Sequence, residues 1–118
     1  MVGGPEARVN KIVSEAPDLS DYVIHCRSLG NAESTIEKQL ESLLALRRAC
    51  GGQKLNQLSL EDVRRGLAKI KGENGRKHHV PLAAETYRHR VAHAKKYYTS
   101  IGSPIGDALT IPRVTQPH

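Results

Sequence analysis

The segment AETYRHRVAHAKKYYTSI, residues 84 to 101, decides the fold class because its apolar residues recur every three or four positions without a break. This period predicts one long helix from about Ala83 to Ile101. The side predicted to be buried consists of Ala84, Tyr87, Val91, Ala94, Tyr98 and Ile101. At about 100° per residue, the opposite side consists of Thr86, His89, His93, Lys96 and Ser100, with Arg88, Arg90 and Lys95 on its flanks. Tyr97 is expected to be more exposed than Tyr87 and Tyr98.

Two earlier segments also have helical spacing. The first follows Pro17 and ends at Gly30, and its apolar residues are Leu19, Tyr22, Val23, Cys26 and Leu29. The second opens with Ser34 and Glu37, which match a capping box. It runs to Gly51, and its predicted inner residues are Ile36, Leu40, Leu43, Leu44 and Cys50.

A further helix is predicted to begin after Ser59, because this serine can cap it and Asp62 follows three residues on. Its predicted inner stripe is Leu60, Val63, Leu67 and Ile70. The stretch GENGRKHHVPL, residues 72 to 82, contains two glycines and a proline and therefore predicts a loop.

The composition agrees with a small all-α bundle of four main helices. A chain of 118 residues fits one domain, and it has no Phe or Trp, so Leu, Ile, Val and Ala must supply most of the core. We expect an N-terminal tail over residues 1–16, a helical domain over 17–103 and an extended linker over 104–118. Two cysteines without Cys-x-x-Cys spacing, no signal peptide and no long apolar run predict a cytoplasmic protein outside the membrane.

The positive charge is concentrated in one segment. Of the net charge of +6, the stretch from Lys69 to Lys96 carries the whole excess, with eight Lys or Arg and two Glu, and four of the six histidines lie in it. Such a concentration is typical of a surface that binds nucleic acid or another polyanion. The polar side of the last helix is therefore the first candidate site, with Arg76 and Lys77 on the preceding loop as phosphate contacts.

Metal binding and catalysis have weaker support in the sequence. His89 and His93 have a spacing that can hold zinc, but no further ligands are apparent, so neither a metal nor a cofactor is expected. The chain contains no GxSxG, HExxH or P-loop pattern, and no residue is assigned a catalytic role. A small metal-dependent enzyme built on the two histidines stays as an alternative.

The order of these features resembles the N-terminal core-binding, SAM-like domain of the tyrosine recombinases and phage integrases. The resemblance covers roughly Leu19 to Arg113 and rests on four stretches, followed by Ser103-Pro104 and Ile111-Pro112-Arg113. These stretches are DLSDYVIHCRSLG, AESTIEKQLESLLALRRACG, LNQLSLEDVRRGLAKI and TYRHRVAHAKKYYTSIG.

The resemblance implies a helical half-clamp that binds duplex DNA in site-specific recombination or integration. It implies DNA contacts from the second helix through Thr35, Lys38, Gln39 and Ser42, and from the last helix through Thr86, Arg88, His89, Arg90, His93 and Lys96. The family's catalytic residues, including a His-x-x-Arg that this chain lacks, lie in a separate C-terminal domain. We therefore expect no catalytic activity from the chain itself, a nucleoid location when it is bound to DNA, and possible self-association there. A SAM-like protein-interaction module with a basic surface is the alternative from a different class.

Overall fold

The computed structural model describes residues 4–73 and 84–112 of the chain. Within these residues the secondary structure is helical and contains no strand, which confirms the predicted all-α class. The helices are α1 (Pro5–Glu15), α2 (Ser20–Ser28), α3 (Glu33–Ala49), α4 (Leu60–Glu73), α5 (Ala84–Ser100) and α6 (Pro104–Ala108). Short 3₁₀ turns at Pro17–Leu19 and Leu55–Gln57 precede α2 and α4. The chain forms two compact units that divide between Glu41 and Ser42, inside α3.

In the first unit, α1 occupies a segment that was predicted to be an N-terminal tail. Pro5 stands at the first helical position, where its missing N–H costs no hydrogen bond. Val9 has no exposed surface and Ala16 is also buried, which explains why this segment is ordered as a helix. Val9, Ile12, Val13 and Ala16 have helical spacing in the sequence, so the signal for α1 was present.

Buried side chains of α2 and α3 form the rest of the first unit's core. They are Tyr22, Val23, Cys26, Ile36 and Leu40, together with Leu19 from the 3₁₀ turn, and all six were predicted as apolar inner residues. Leu29, which was predicted to be buried, is instead 60% exposed because it lies at the C-terminal end of α2. The capping-box prediction at Ser34 is wrong: α3 begins at Glu33, and Glu37 forms an ion pair with Arg8 of α1.

In the second unit, α4 begins as predicted. Ser59 Oγ accepts a hydrogen bond from Asp62 N (3.1 Å), and Ser59 N donates to Asp62 Oδ2 (3.2 Å). The backbone N–H of Ser59 is the main reason that the pKa of Asp62 is below its usual range. Val63 and Leu67 of α4 are buried, whereas Leu60 and Ile70 are only partly buried.

The segment after α5 is not the extended linker that the sequence suggested. Ser103 caps α6 by accepting a hydrogen bond from Ile105 N (3.2 Å), and Ile105 and Leu109 are buried. The approach of α6 to α5 is so close that a Cβ atom on Gly106 would lie 2.7 Å from Thr99 N. The helical part of the second unit therefore extends to Ala108.

Candidate functional site

Helix α5 is held in the second unit by four buried side chains: Val91, Ala94, Tyr97 and Tyr98. Three of them match the predicted inner side, but Tyr97 is only 2% exposed, so the prediction that it is the more exposed tyrosine is wrong. The predicted ends of the stripe also differ, because Ala84 and Ile101 are exposed. The buried side of α5 is therefore wider than predicted near the C-terminal end of the helix, where it also includes Tyr97.

The α5 basic face is the name used below for Thr86, Arg88, His89, Arg90, His93 and Lys96. Thr86, His89 and Lys96 are exposed, in agreement with the prediction. Arg88, Arg90 and His93 are partly buried. Glu85 is the one acidic residue of α5; it forms an ion pair with Arg88 (3.8 Å) and lies 3.3 Å from His89 Nε2. Since these side chains are largely solvated, the pairs are weak and a stronger anion can compete with Glu85.

Ser42 connects Arg90 and His93. Its Oγ accepts a hydrogen bond from Arg90 Nη1 at 3.0 Å and lies 2.7 Å from His93 Nδ1. Burial lowers the pKa of His93 to about 4, and Coulomb repulsion from the neighbouring basic groups His89, Arg90 and Lys96 acts in the same direction. His93 is therefore neutral at physiological pH and adds no positive charge to this surface in the free protein.

The predicted outward face of α3 needs correction at two positions. Gln39 is 2% exposed and accepts a hydrogen bond from the Tyr22 hydroxyl, with the Cys26 thiol at 3.9 Å. Ser42 is 4% exposed because it packs against α5 of its own unit. Thr35 and Lys38 are exposed, as predicted. Gln39 and Ser42 thus satisfy polar partners inside the protein and are not available to an external ligand.

Lys95 was predicted on the flank of the polar side, but it is tied to the segment that follows α5. Its Nζ donates to Gly106 O at 2.6 Å and to Leu109 O at 3.0 Å. These carbonyl groups belong to α6 and its C-terminal end, where a cation is favoured. Lys95 therefore stabilises α6 and is not part of the α5 basic face.

A second group of cations, which was not predicted as part of a site, lies on α4 beside α5. Lys71 Nζ lies 5.4 Å from the centroid of the Tyr87 ring. Arg64 and Tyr87 both line a groove with a volume of about 230 Å³. Helical periodicity alone does not reveal this arrangement, because it depends on how α4 packs on α5. Arg76 and Lys77, the predicted loop contacts, lie outside the described residues.

The other candidate sites gain no support from the described part of the chain. No group of three or more His, Cys, Asp or Glu side chains that could hold a metal occurs between residues 4 and 73 or 84 and 112. Cys50 borders a cavity of about 480 Å³, but burial raises the pKa of its thiol, which makes it a poorer nucleophile. None of the helices in these ranges is long and apolar enough to span a bilayer.

Comparison of the chain with models of protein families, with curated proteins and with solved structures finds no match. The resemblance to recombinase core-binding domains therefore stays a hypothesis that rests on the sequence pattern.

Proposed function

We propose that the chain binds duplex DNA through the α5 basic face. The observation that carries this proposal is the arrangement of α5, in which Val91, Ala94 and Tyr98 are buried while Arg88, His89 and Lys96 reach solvent. An α-helix fits the major groove, and cationic side chains along its outer side reach the phosphates of both groove edges. A carboxylate occurs on α5 only in its first turn, at Glu85, so the remaining length of the helix does not repel a polyanion.

The strength of this binding should depend steeply on salt. Arg88, Arg90 and Lys96 can each neutralise about one phosphate, which predicts a slope of log K against log salt concentration of roughly −3. We expect weak binding, because three ionic contacts supply little affinity at physiological salt.

Fluorescence anisotropy with a labelled duplex, measured over a salt series, tests the proposal. Unlabelled duplex and heparin are then added as competitors at equal charge concentration. A DNA-binding helix should prefer the duplex, because heparin has the charge without the groove. Absence of binding at low salt, or displacement by heparin at least as effective as by duplex, would contradict the proposal.

The finer form of the proposal is that the chain acts as the core-binding domain of a tyrosine recombinase or integrase, with a catalytic domain as its covalent partner. It rests on the sequence pattern described above. Reading the gene beyond the codon for His118 tests it: an Arg, a His-x-x-Arg and a Tyr in that order support this form. A downstream sequence without them contradicts it and leaves DNA binding as a separate question.

A protein-interaction module is the second candidate function. The observation in its favour is the exposure of two large apolar side chains of the first unit, Ile24 (62%) and Leu29 (60%). Removal of exposed apolar side chains from water is the main favourable term in most protein–protein association. Chemical-shift mapping during a duplex titration distinguishes the two functions, since DNA binding should shift α5 resonances and leave those of Ile24 and Leu29 unchanged.

A further inference from the structure

The hydrogen bonds of Ser42 determine which nitrogen of His93 carries the ring proton. A guanidinium group only donates, so Ser42 Oγ must accept the bond from Arg90 Nη1. Ser42 is buried, so the single hydrogen of its hydroxyl group needs an acceptor inside the protein. Among the described residues that acceptor is His93 Nδ1. His93 Nδ1 is therefore unprotonated, and the ring carries its hydrogen on Nε2.

The group next to Ser42 consequently consists of donors alone. Arg90 uses one of its five N–H groups on Ser42, which leaves four further donors on the guanidinium group. His93 offers Nε2–H, and Lys96, one helical turn further on, offers an exposed ammonium group. None of these three side chains presents an acceptor to a ligand in this arrangement.

The electrostatic environment points in the same direction. Burial is the main cause of the low pKa of His93, and the neighbouring groups whose Coulomb repulsion adds to it are His89, Arg90 and Lys96, all of them basic. The local potential is therefore positive, and Ser42, the residue that holds Arg90 and His93, is neutral and does not compensate it. A bound anion would relieve this repulsion.

We infer that Arg90, His93 and Lys96, with Ser42 as the positioning residue, form a binding site for one phosphate diester of the DNA backbone. The inference rests on the proposed function and specifies how part of that surface works. The ligand is a phosphate and not a base edge, because phosphate oxygens only accept hydrogen bonds, whereas the edges of bases present a mixture of donors and acceptors. The contact therefore fixes the position of the helix on the duplex and is the same for every sequence.

Nitrogen NMR of the histidine rings tests the geometry of the site in the full chain. The expected spectrum of the free protein at neutral pH has His93 Nδ1 in the unprotonated form and Nε2 in the protonated form. Titration with dimethyl phosphate, a phosphate diester without a base, should shift the Nε2–H signal of His93. In Ser42→Ala the Nδ1 signal should change and the response to dimethyl phosphate should weaken. A protonated Nδ1 in the free wild-type protein would overturn the assignment.

Binding of two duplexes of unrelated sequence tests the ligand class. Arg90→Gln should lose about tenfold in affinity for both duplexes, and its salt slope should be smaller by about 1. Arg65→Gln is the control with the same charge change, because Arg65 pairs with Glu61 and Asp62 on α4, outside the α5 basic face. Melting curves of both variants check that they fold.

The possible results separate this inference from the proposed function. If the wild-type chain binds both duplexes and Arg90→Gln binds them equally well, the phosphate site is wrong and DNA binding stands. A loss confined to one duplex sequence would mean that Arg90 contacts a base, which also overturns the site. If the wild-type chain binds neither duplex, both proposals fail.

Discussion

The hydroxyl group of Tyr98 on α5 donates a 2.7 Å hydrogen bond to the backbone carbonyl of Leu55, in the 3₁₀ turn before α4. Both residues are buried, and burial raises the pKa of the Tyr98 hydroxyl, so it remains a donor over the whole physiological range. This contact joins two segments that are 43 residues apart and fixes the side of α5 that faces the core.

Replacement of Tyr98 by Phe should lower the free energy of unfolding by about 1 kcal/mol. The loss is modest because Leu55 O keeps a second donor, Leu58 N, at 3.3 Å. Chemical denaturation measures it, and Tyr87→Phe is the matched control, since Tyr87 is only partly buried. Equal losses in the two variants would show that the bond to Leu55 does not contribute.

Replacement of Val91 by Asp should abolish cooperative folding or destabilise the chain by about 4 kcal/mol or more, because it buries a carboxylate without a partner. Val91 is 3% exposed. Thr86→Asp adds the same charge at an exposed position in the first turn of the same helix and should retain a cooperative thermal transition. A normal melting curve for the Val91 variant would mean that the inner side of α5 is assigned wrongly.

Lys95→Ala should loosen α6 without unfolding α5, because it removes both hydrogen bonds to Gly106 O and Leu109 O. We expect faster amide hydrogen exchange at Ile105 and Leu109, which hydrogen exchange followed by NMR reports residue by residue. Lys96→Ala is the control, since the neighbouring lysine is exposed. Unchanged exchange in the Lys95 variant would show that α6 is held by apolar packing alone.

The pH dependence of stability should contain a contribution from His93. Its pKa of about 4 in the folded chain lies below the ordinary value of 6.5, so the unfolded chain binds a proton that the folded chain does not. This contribution is fully present above pH 6.5 and is lost as the pH falls toward 4. Its size is about 1 to 2 kcal/mol after allowance for partial solvent exposure.

His93→Gln removes the titrating group and should flatten the fall in unfolding free energy between pH 6.5 and 4, measured by urea titration at several pH values. Carboxylates such as Asp62 also make the unfolding free energy depend on pH. Their contribution is the same in the wild type and the variant, so it serves as the internal comparison. Identical slopes in the wild type and the variant would exclude His93 as the source.

Substitution of Arg88, Arg90 and Lys96 by Ala together should weaken duplex binding by at least about tenfold at low salt and reduce the salt slope by about 2 to 3. The helical circular-dichroism signal should not change. The control variant replaces Lys54, Arg65 and Lys69, three exposed cations outside α5, and has the same net charge. Similar binding by the two triple variants would indicate attraction by net charge without a defined surface.

Elements that depend only on neighbouring residues could be predicted from the sequence. The period of α5, with Val91, Ala94 and Tyr98 on one side, and the reciprocal hydrogen bonds of Ser59 and Asp62 follow from local geometry. The segment of α1 also has helical spacing in Val9, Ile12, Val13 and Ala16, although it was predicted as a tail.

The tertiary structure alone decided how wide each buried side is. A helical period gives the direction of a side chain, but the number of segments that pack around the helix determines whether that direction is buried. Gln39 and Tyr97 are therefore inside although the spacing placed them outward. Lys95 turns to the carbonyls of α6 because the segment after Gly102 folds back onto α5, and only that packing distinguishes it from the exposed Lys96.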